Sequence, residues 1–283
     1  MTTIQGKVAA LTGAGSGLGR ALAIALAERG ATLALADVDA RGLAETCALL
    51  ASRGSEVSTH VVDVGQLAAM RRFAEQVRER HGGADILINN AGTAVRATIE
   101  ELSYADLARV LDVNLWGVIH GTKEFLPLLR MRPEAHIVNI GSVNSFVPFP
   151  ENAPYNVSKY AVLGWSETLM QELHGSQIRV TCVHPGALDT NLVKNSRGFT
   201  REDHLYFAKL SKTSPARAAL SIVRAIEHNR QQLLIGSDAR LLALLKRIAP
   251  RWIVRFVGVQ INTPRVRPES TSAGLAAKAD DER

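Results

Sequence analysis

A chain of 283 residues is long enough for one large α/β domain, and its length does not force a second. Apolar residues make up 46% and charged residues 21%, which excludes a disordered or fibrous chain, and no run of about 18 apolar residues is present to span a bilayer. The formal net charge of +6 is no argument for nucleic acid binding: residues 240–267 hold seven basic side chains and no acidic one, and the rest is nearly neutral.

In chain order, short β-rich runs alternate with helix-length segments. The runs are KVAALTG, TLALAD, EVSTHVVD, DILINNAG, AHIVNIGS, IRVTCVHPG and QQLLIG. Such alternation predicts βαβ units around a parallel sheet, and the almost wholly apolar strands predict helices on both faces. ALAIALAERG reads as a helix ending on Gly30, and Ser103 with Asp106 three residues later resembles a capping box ahead of LARVLDVNL. Cys47 and Cys182 form no CxxC pair and the eight histidines show no ligand spacing, so neither a disulfide framework nor a metal is expected. MTTIQGKVAALTG lacks the basic-then-apolar form of a signal peptide, so the expected location is cytoplasmic.

The first strand runs directly into TGAGSGLG, with a helix beyond it. Glycines there permit a tight turn and close backbone approach to a pyrophosphate, and the helix N-terminus offers free N–H groups. Gly13, Gly17 and Gly19 form GxxxGxG rather than GxGxxG. Asp37 closes the second strand twenty residues after Gly17, where a carboxylate can accept from ribose hydroxyls and repel a 2′-phosphate. The alternative is that Asp37 or Asp39 caps the next helix. Further on, YNVSK places Tyr155 and Lys159 one helical turn apart, where a lysine cation can lower the pKa of the phenol.

Together TGAGSGLG, NNAG (Asn89 to Gly92), DVNLWG around Asn114, GSVNS at Ser142, YNVSK and HPG (His184 to Gly186) resemble the short-chain dehydrogenase/reductase family, in that family's order, over about residues 7–236. The resemblance implies a single Rossmann-type domain (residues 1–237), a doubly wound parallel sheet of about seven strands flanked by helices. It implies an oxidoreductase moving a hydride between NAD and an alcohol or ketone. Tyr155 stands at the place of the general acid/base, Lys159 at that of the residue bonding the nicotinamide ribose, Ser142 at that of the substrate-oxygen donor, and Asn114 at that of the relay residue. Gly13, Ser16, Gly17, Leu18 and Gly19 correspond to the phosphate turn, Asp37 to the ribose carboxylate, Asp63 and Val64 to the adenine contacts, and Asn90, Ala91 and Gly92 to the adenine-ribose turn. Pro185, Gly186 and Thr190 correspond to the segment over the nicotinamide. NADP is disfavoured by Asp37 and by the lack of a basic residue at Ser16 or Val38. A homodimer or homotetramer is expected.

The loops beyond the strand ends are apolar. SFVPFPENAP supplies Phe146, Val147 and Phe149, and the segment after Thr190 supplies Leu192, Val193, Phe199, Leu205, Tyr206 and Phe207. A small lipophilic alcohol or ketone is the expected substrate, unless these residues fill the core or a subunit interface. Arg96 and Arg197 are the arginines left open for an anionic group. The alternatives are an NADPH-dependent carbonyl reductase and, in another class, a non-catalytic dinucleotide sensor or scaffold. Residues 238–261 read as a basic amphipathic helical extension interrupted at Pro250, and residues 262–283 as a disordered tail. The stripe within 239–261 has three candidate partners: the chain's own domain beside the cleft, another subunit, or peripherally the anionic inner surface of a membrane.

Overall fold

Strands whose residues are all apolar on both faces need cover on both sides, and that demand sets the architecture. The computed structural model describes residues 2–51, 55–188, 196–203, 205 and 213–261. Strands β1 (Val8–Thr12), β2 (Thr32–Asp37), β3 (Val57–Val61), β4 (Ile86–Asn89), β5 (Ala135–Ile140), β6 (Ile178–Pro185) and β7 (Gln232–Ile235) form one sheet in the order β3-β2-β1-β4-β5-β6-β7. Every pairing is parallel. The expected doubly wound α/β domain is therefore observed, with all seven anticipated strands in place. Each residue of β1 and β5 is buried, whereas β3, at one edge, alternates in exposure and tolerates Ser58 and His60.

The helices are α1 (Gly17–Ala27), α2 (Ala40–Ala51), α3 (Leu67–His81), α4 (Tyr104–Leu111), α5 (Gly117–Arg130), α6 (Ala153–Glu172), α7 (Pro215–Glu227), α8 (Ser237–Ile248) and α9 (Pro250–Ile261). Successive strand side chains point to opposite faces, so β1 divides its residues between two cores. Ala9 and Leu11 join Leu22 and Leu26 of α1 and Ile222 of α7, while Val8 and Ala10 join Phe73 of α3, Phe125 of α5 and Leu169 of α6. A third, smaller cluster packs Ile253 and Val257 of α9 on Val147, with Phe146, Phe149, Leu242 and Leu245 at its margin. Part of the C-terminal stripe thus belongs to the chain's own packing beside the loop after Ser142.

Helix ends depart from expectation in two places. α1 stops at Ala27, before Gly30, and Gly30 takes φ +76 as its N–H bonds the Ala27 carbonyl. Ser103 accepts from the Asp106 N–H as an N-cap should, but its hydroxyl donates to the Asp106 carboxylate, so the second arm of the capping box is replaced by a side-chain bond. Between α4 and α5 the chain winds into a π-helical turn, Asp112–Trp116, which sequence periodicity does not reveal.

Phe73 and Phe125 are fully buried with ring centroids 5.2 Å apart, and they join α3 to α5 under the sheet. Phe125→Ala is expected to lower unfolding stability by about 3–5 kcal/mol. Urea denaturation would measure this, and a loss of well under 1 kcal/mol would mean that the site collapses around the deletion.

Candidate functional site

The strand order reverses between β1 and β4, and open parallel sheets bind ligands beyond the carboxyl ends of their strands at such a point. The turn after β1 lies there. A Cβ at Gly19 would meet the Gly13 carbonyl oxygen at 1.8 Å, and Gly13 itself has φ +67, so the turn closes only with glycine at both places. Asn90 pins it: its Nδ2 donates to the Thr12 and Gly13 carbonyls at 2.9 and 3.1 Å, while Thr12 Oγ1 accepts from the Asn90 and Ala91 N–H groups. The Asn90 side chain therefore supports the glycine turn, a role that the motif reading had not separated from contact with the ribose. Ser16 is the N-cap of α1 but makes no side-chain cap bond, and no acidic residue stands in the first turn, which leaves the helix N-terminus suited to an anion.

Asp37 ends β2 as expected, and each carboxylate oxygen holds one backbone donor, Oδ2 from Gly15 at 2.8 Å and Oδ1 from Asp39 at 3.0 Å. The other lone pairs can accept from a diol. The two arginines nearest to this strand end are engaged on Glu45, Arg20 at 2.8 Å and Arg41 at 3.4 Å. Asp63 lies two residues past the end of β3 rather than at it, exposed, with one oxygen accepting from Gly65, and Val64 beside it is buried. Glycine cradle, uncapped helix start and diol acceptor together fit a dinucleotide, which Gly13, Gly17, Gly19 and Asp37 would hold. Pro185 closes β6 and Gly186 follows it at the same edge, while Thr190, Leu192, Val193, Tyr206 and Phe207 lie outside the described residues.

The second half of the site is built on β5 and α6. Gly141 and Ser142 continue β5, and Ser142 is extended and nearly buried. Its hydroxyl accepts from the Asn144 N–H and donates to Asn144 Oδ1 at 3.2 Å, and Asn144 in turn donates to Asn156 Oδ1 at 2.7 Å. Asn156 also clasps the Phe149 backbone. Asn144 and Asn156 thus brace Ser142. The motif reading passed over both, although they stand inside GSVNS and YNVSK.

Tyr155 and Lys159 sit one turn apart on α6, as the spacing predicts, with Lys159 Nζ 5.4 Å from the centre of the Tyr155 ring. The buried ammonium donates to the Ile140 carbonyl at 2.8 Å. Burial lowers the Lys159 pKa to about 8. Burial also raises the Tyr155 pKa, and a hydrogen bond with Ser142 offsets part of the rise. The net lowering of the phenol expected from the Tyr155–Lys159 spacing is therefore not found here: burial outweighs it, and the ammonium is engaged on the Ile140 carbonyl. Asn114, fully buried at the centre of the π-helical turn, accepts from Thr93 N–H at 2.8 Å and donates to the Thr93 carbonyl and to Ser158 Oγ. Ser158 donates to the Tyr155 carbonyl, so Asn114 joins α6 through that residue. His184 holds the Ser142 carbonyl through Nδ1 at 3.2 Å, and burial depresses its pKa to about 4, which keeps the ring neutral.

A family model described as short chain dehydrogenase matches residues 7–200. The chain belongs to that family. It is an oxidoreductase of the short chain dehydrogenase type, with the family's NAD-binding Rossmann fold and dependence on NAD(P). Among similar proteins, SadH of Mycobacterium tuberculosis is 38% identical over 268 residues, 92% of this chain and 97% of that one. Estradiol 17-beta-dehydrogenase 11 of Pongo abelii is 30% identical over 263 residues, covering 91% of this chain and 83% of that one. The crystal structure of a short chain dehydrogenase/reductase from Burkholderia phymatum in complex with NAD superposes with a TM-score of 0.82 at 32% identity, over 89% of this chain and 96% of that one.

Arg96 and Arg197 are not open for an anionic substrate. Arg96 pairs with Glu151 and Asp203, and Arg197 with Asp106 at 3.1 Å, so both tie residues 196–203 to the body of the protein. A structural reading of those arginines needs the acids that face them, which lie far away in sequence.

The buried ammonium has a thermodynamic signature. Lys159 titrates near 8 in the folded protein and near 10.4 when unfolded, so between those values the unfolded chain binds more protons and stability rises with pH. Relative to Lys159→Met, the wild-type folding equilibrium should strengthen with pH from about 8 to 10, by at most about tenfold per pH unit. Parallel urea titrations of the two proteins across that window measure it; a flat difference would show that the ammonium is not desolvated.

Proposed function

We propose that the protein catalyses NAD-linked interconversion of a lipophilic alcohol and its ketone or aldehyde, with Tyr155 as the general acid/base. One juxtaposition carries the reading: the Tyr155 phenol lies by Ser142 and one helical turn from a buried lysine, at the end of β5 and next to the dinucleotide cradle. When bound, the nicotinamide ring supplies the two-electron acceptor or donor. Ser142 orients the substrate oxygen toward the phenol, its hydroxyl turning from Asn144 Oδ1 to donate to the charge that develops there while it still accepts from the Asn144 N–H. In oxidation the Tyr155 oxygen takes the hydroxyl proton, and in reduction it returns one. A raised phenol pKa leaves Tyr155 protonated near neutrality, which favours reduction there and oxidation at alkaline pH. Lys159, with a pKa near that range, can hand a proton onward beneath the ring, and Asn114 holds the backbone of this path through Thr93 and Ser158.

The apolar loop after Ser142 supports a lipophilic substrate class. Phe146, Val147 and Phe149 come directly after the Ser142 turn and are backed by Leu242, Leu245, Ile253 and Val257, while the arginines nearby are paired with carboxylates. A relative of the chain is named for an oxidation of estradiol, a lipophilic secondary alcohol, in keeping with this reading.

Tyr155→Phe removes one hydroxyl and no packing volume. It should lower kcat at least about 10²-fold while leaving NAD affinity nearly unchanged; turnover of lipophilic alcohols, followed by NADH fluorescence, decides it, and a near wild-type kcat would refute the mechanism. NAD should also be preferred over NADP, because Asp37 repels a 2′-phosphate and both nearby arginines are held by Glu45. Comparing kcat/KM for the two cofactors tests this, and Asp37→Ala should narrow the difference; a wild-type preference for NADP would overturn it.

A further inference from the structure

The C-terminal helices have two apolar sides, and the protein uses only one. Toward the domain, Ala239, Ile253 and Val257 are buried, and Leu242 and Leu245 are half-buried against the loop after Ser142. On α8 a second row, Leu241, Leu244 and Ile248, recurs at i, i+3 and i+7, and those residues are 56%, 54% and 71% exposed. On α9, Trp252 and Phe256 stack with ring centroids 4.9 Å apart while remaining 54% and 43% exposed. Such large side chains clustered outside are not explained by the core.

Charge singles out the occupant. On a helix of 3.6 residues per turn, Arg240 and Arg247 flank the outer row of α8, and Arg251 and Arg255 flank Trp252 and Phe256 on α9. All four arginines are exposed, and no acidic residue occurs between 239 and 261. A self-complementary contact between two copies would bring these arginines together without counter-charges, which disfavours a second subunit on this face. An apolar stripe edged by arginines and carrying an amphipathic indole matches the boundary between headgroups and acyl chains of an anionic bilayer. No helix among the described residues is long and apolar enough to cross a membrane, so the fit is to lying on one.

We propose that α8 and α9 form a peripheral docking surface for anionic lipid membranes, with Leu241, Leu244, Ile248, Trp252 and Phe256 entering the interface and Arg240, Arg247, Arg251 and Arg255 engaging lipid phosphates. The assignment does not depend on the substrate reading. The inner side of the same helices walls the loop after Ser142, so docking brings the cleft close to the bilayer surface.

Co-sedimentation of the full chain tests the proposal, with vesicles of phosphatidylcholine alone and of phosphatidylcholine mixed with phosphatidylglycerol. Binding is expected only to the mixed vesicles at low salt, with release at about 1 M salt, where screening extends only about 3 Å. Replacing arginines 247, 251 and 255 by glutamine should lower partitioning about fivefold for each charge removed. Ile248→Asn with Trp252→Asn, at exposed positions that should not disturb folding, should abolish binding with thermal melting unchanged. Three results would overturn the proposal: a full chain that stays in the supernatant at low salt, equal binding to neutral vesicles, or a folded double variant that binds vesicles normally but loses self-association in sedimentation velocity. The last would assign the face to a subunit contact.

Discussion

The hydrogen bond from Lys159 Nζ to the Ile140 carbonyl ties α6 to the end of the strand that leads into Ser142, and the site's geometry depends on it. A lysine gives up hydration when buried, so its ammonium must find a strong acceptor or lose its proton more readily; Lys159 does both. The bond fixes α6 relative to β5. Tyr155, one turn earlier on that helix, is then held beside Ser142, the second residue past the strand. The same desolvation that lowers the lysine pKa raises that of the tyrosine, so two groups nearly matched in water are driven apart: Lys159 releases its proton more readily and Tyr155 holds its own more tightly.

Polar side chains around this bond are linked into networks, with Asn89 Oδ1 and His184 Nε2 left without a partner among the described residues. Asn144 and Asn156 form a chain that ends on the Phe149 backbone, so the apolar loop after Ser142 and the Ser142 hydroxyl are positioned by one network. The π-helical turn re-aims Asn114 into the interior, where it pairs with Thr93 and Ser158. Asn89 and Asn139, facing each other across β4 and β5, extend the polar seam beneath the site to Ser166. Buried amides cost free energy unless bonded, and these bonds specify a single arrangement of the strand ends.

The C-terminal helices are integral to this arrangement. Asp238, in the first turn of α8, accepts from the Ala187 N–H at 2.9 Å and so steadies the segment after Gly186, while α9 supports Val147. These helices pack on the loop after Ser142 on one side and present arginine-edged apolar rows on the other, so the proposed docking would set the position of that loop relative to the bilayer.

By itself the sequence determined what is local. Seven apolar runs declared the strands, GxxxGxG declared a turn that only glycine can close, and Tyr155 with Lys159 declared a shared helical face, because strand period, backbone sterics and helix pitch are properties of neighbouring residues. Family resemblance extended this to Ser142 and Asn114. What only the tertiary structure decided is where long side chains terminate. Lys159 reaches a carbonyl nineteen residues away, Arg96 and Arg197 meet acids from other loops, and Asn90 turns back to brace the glycine turn. Periodicity likewise marks 239–261 as apolar on a face, but not that Ile253 and Val257 would be buried while Leu244 and Trp252 remained outside. Burial, pairing and the direction of a pKa shift depend on which segments the strand order brings together, and a one-dimensional pattern does not contain that juxtaposition.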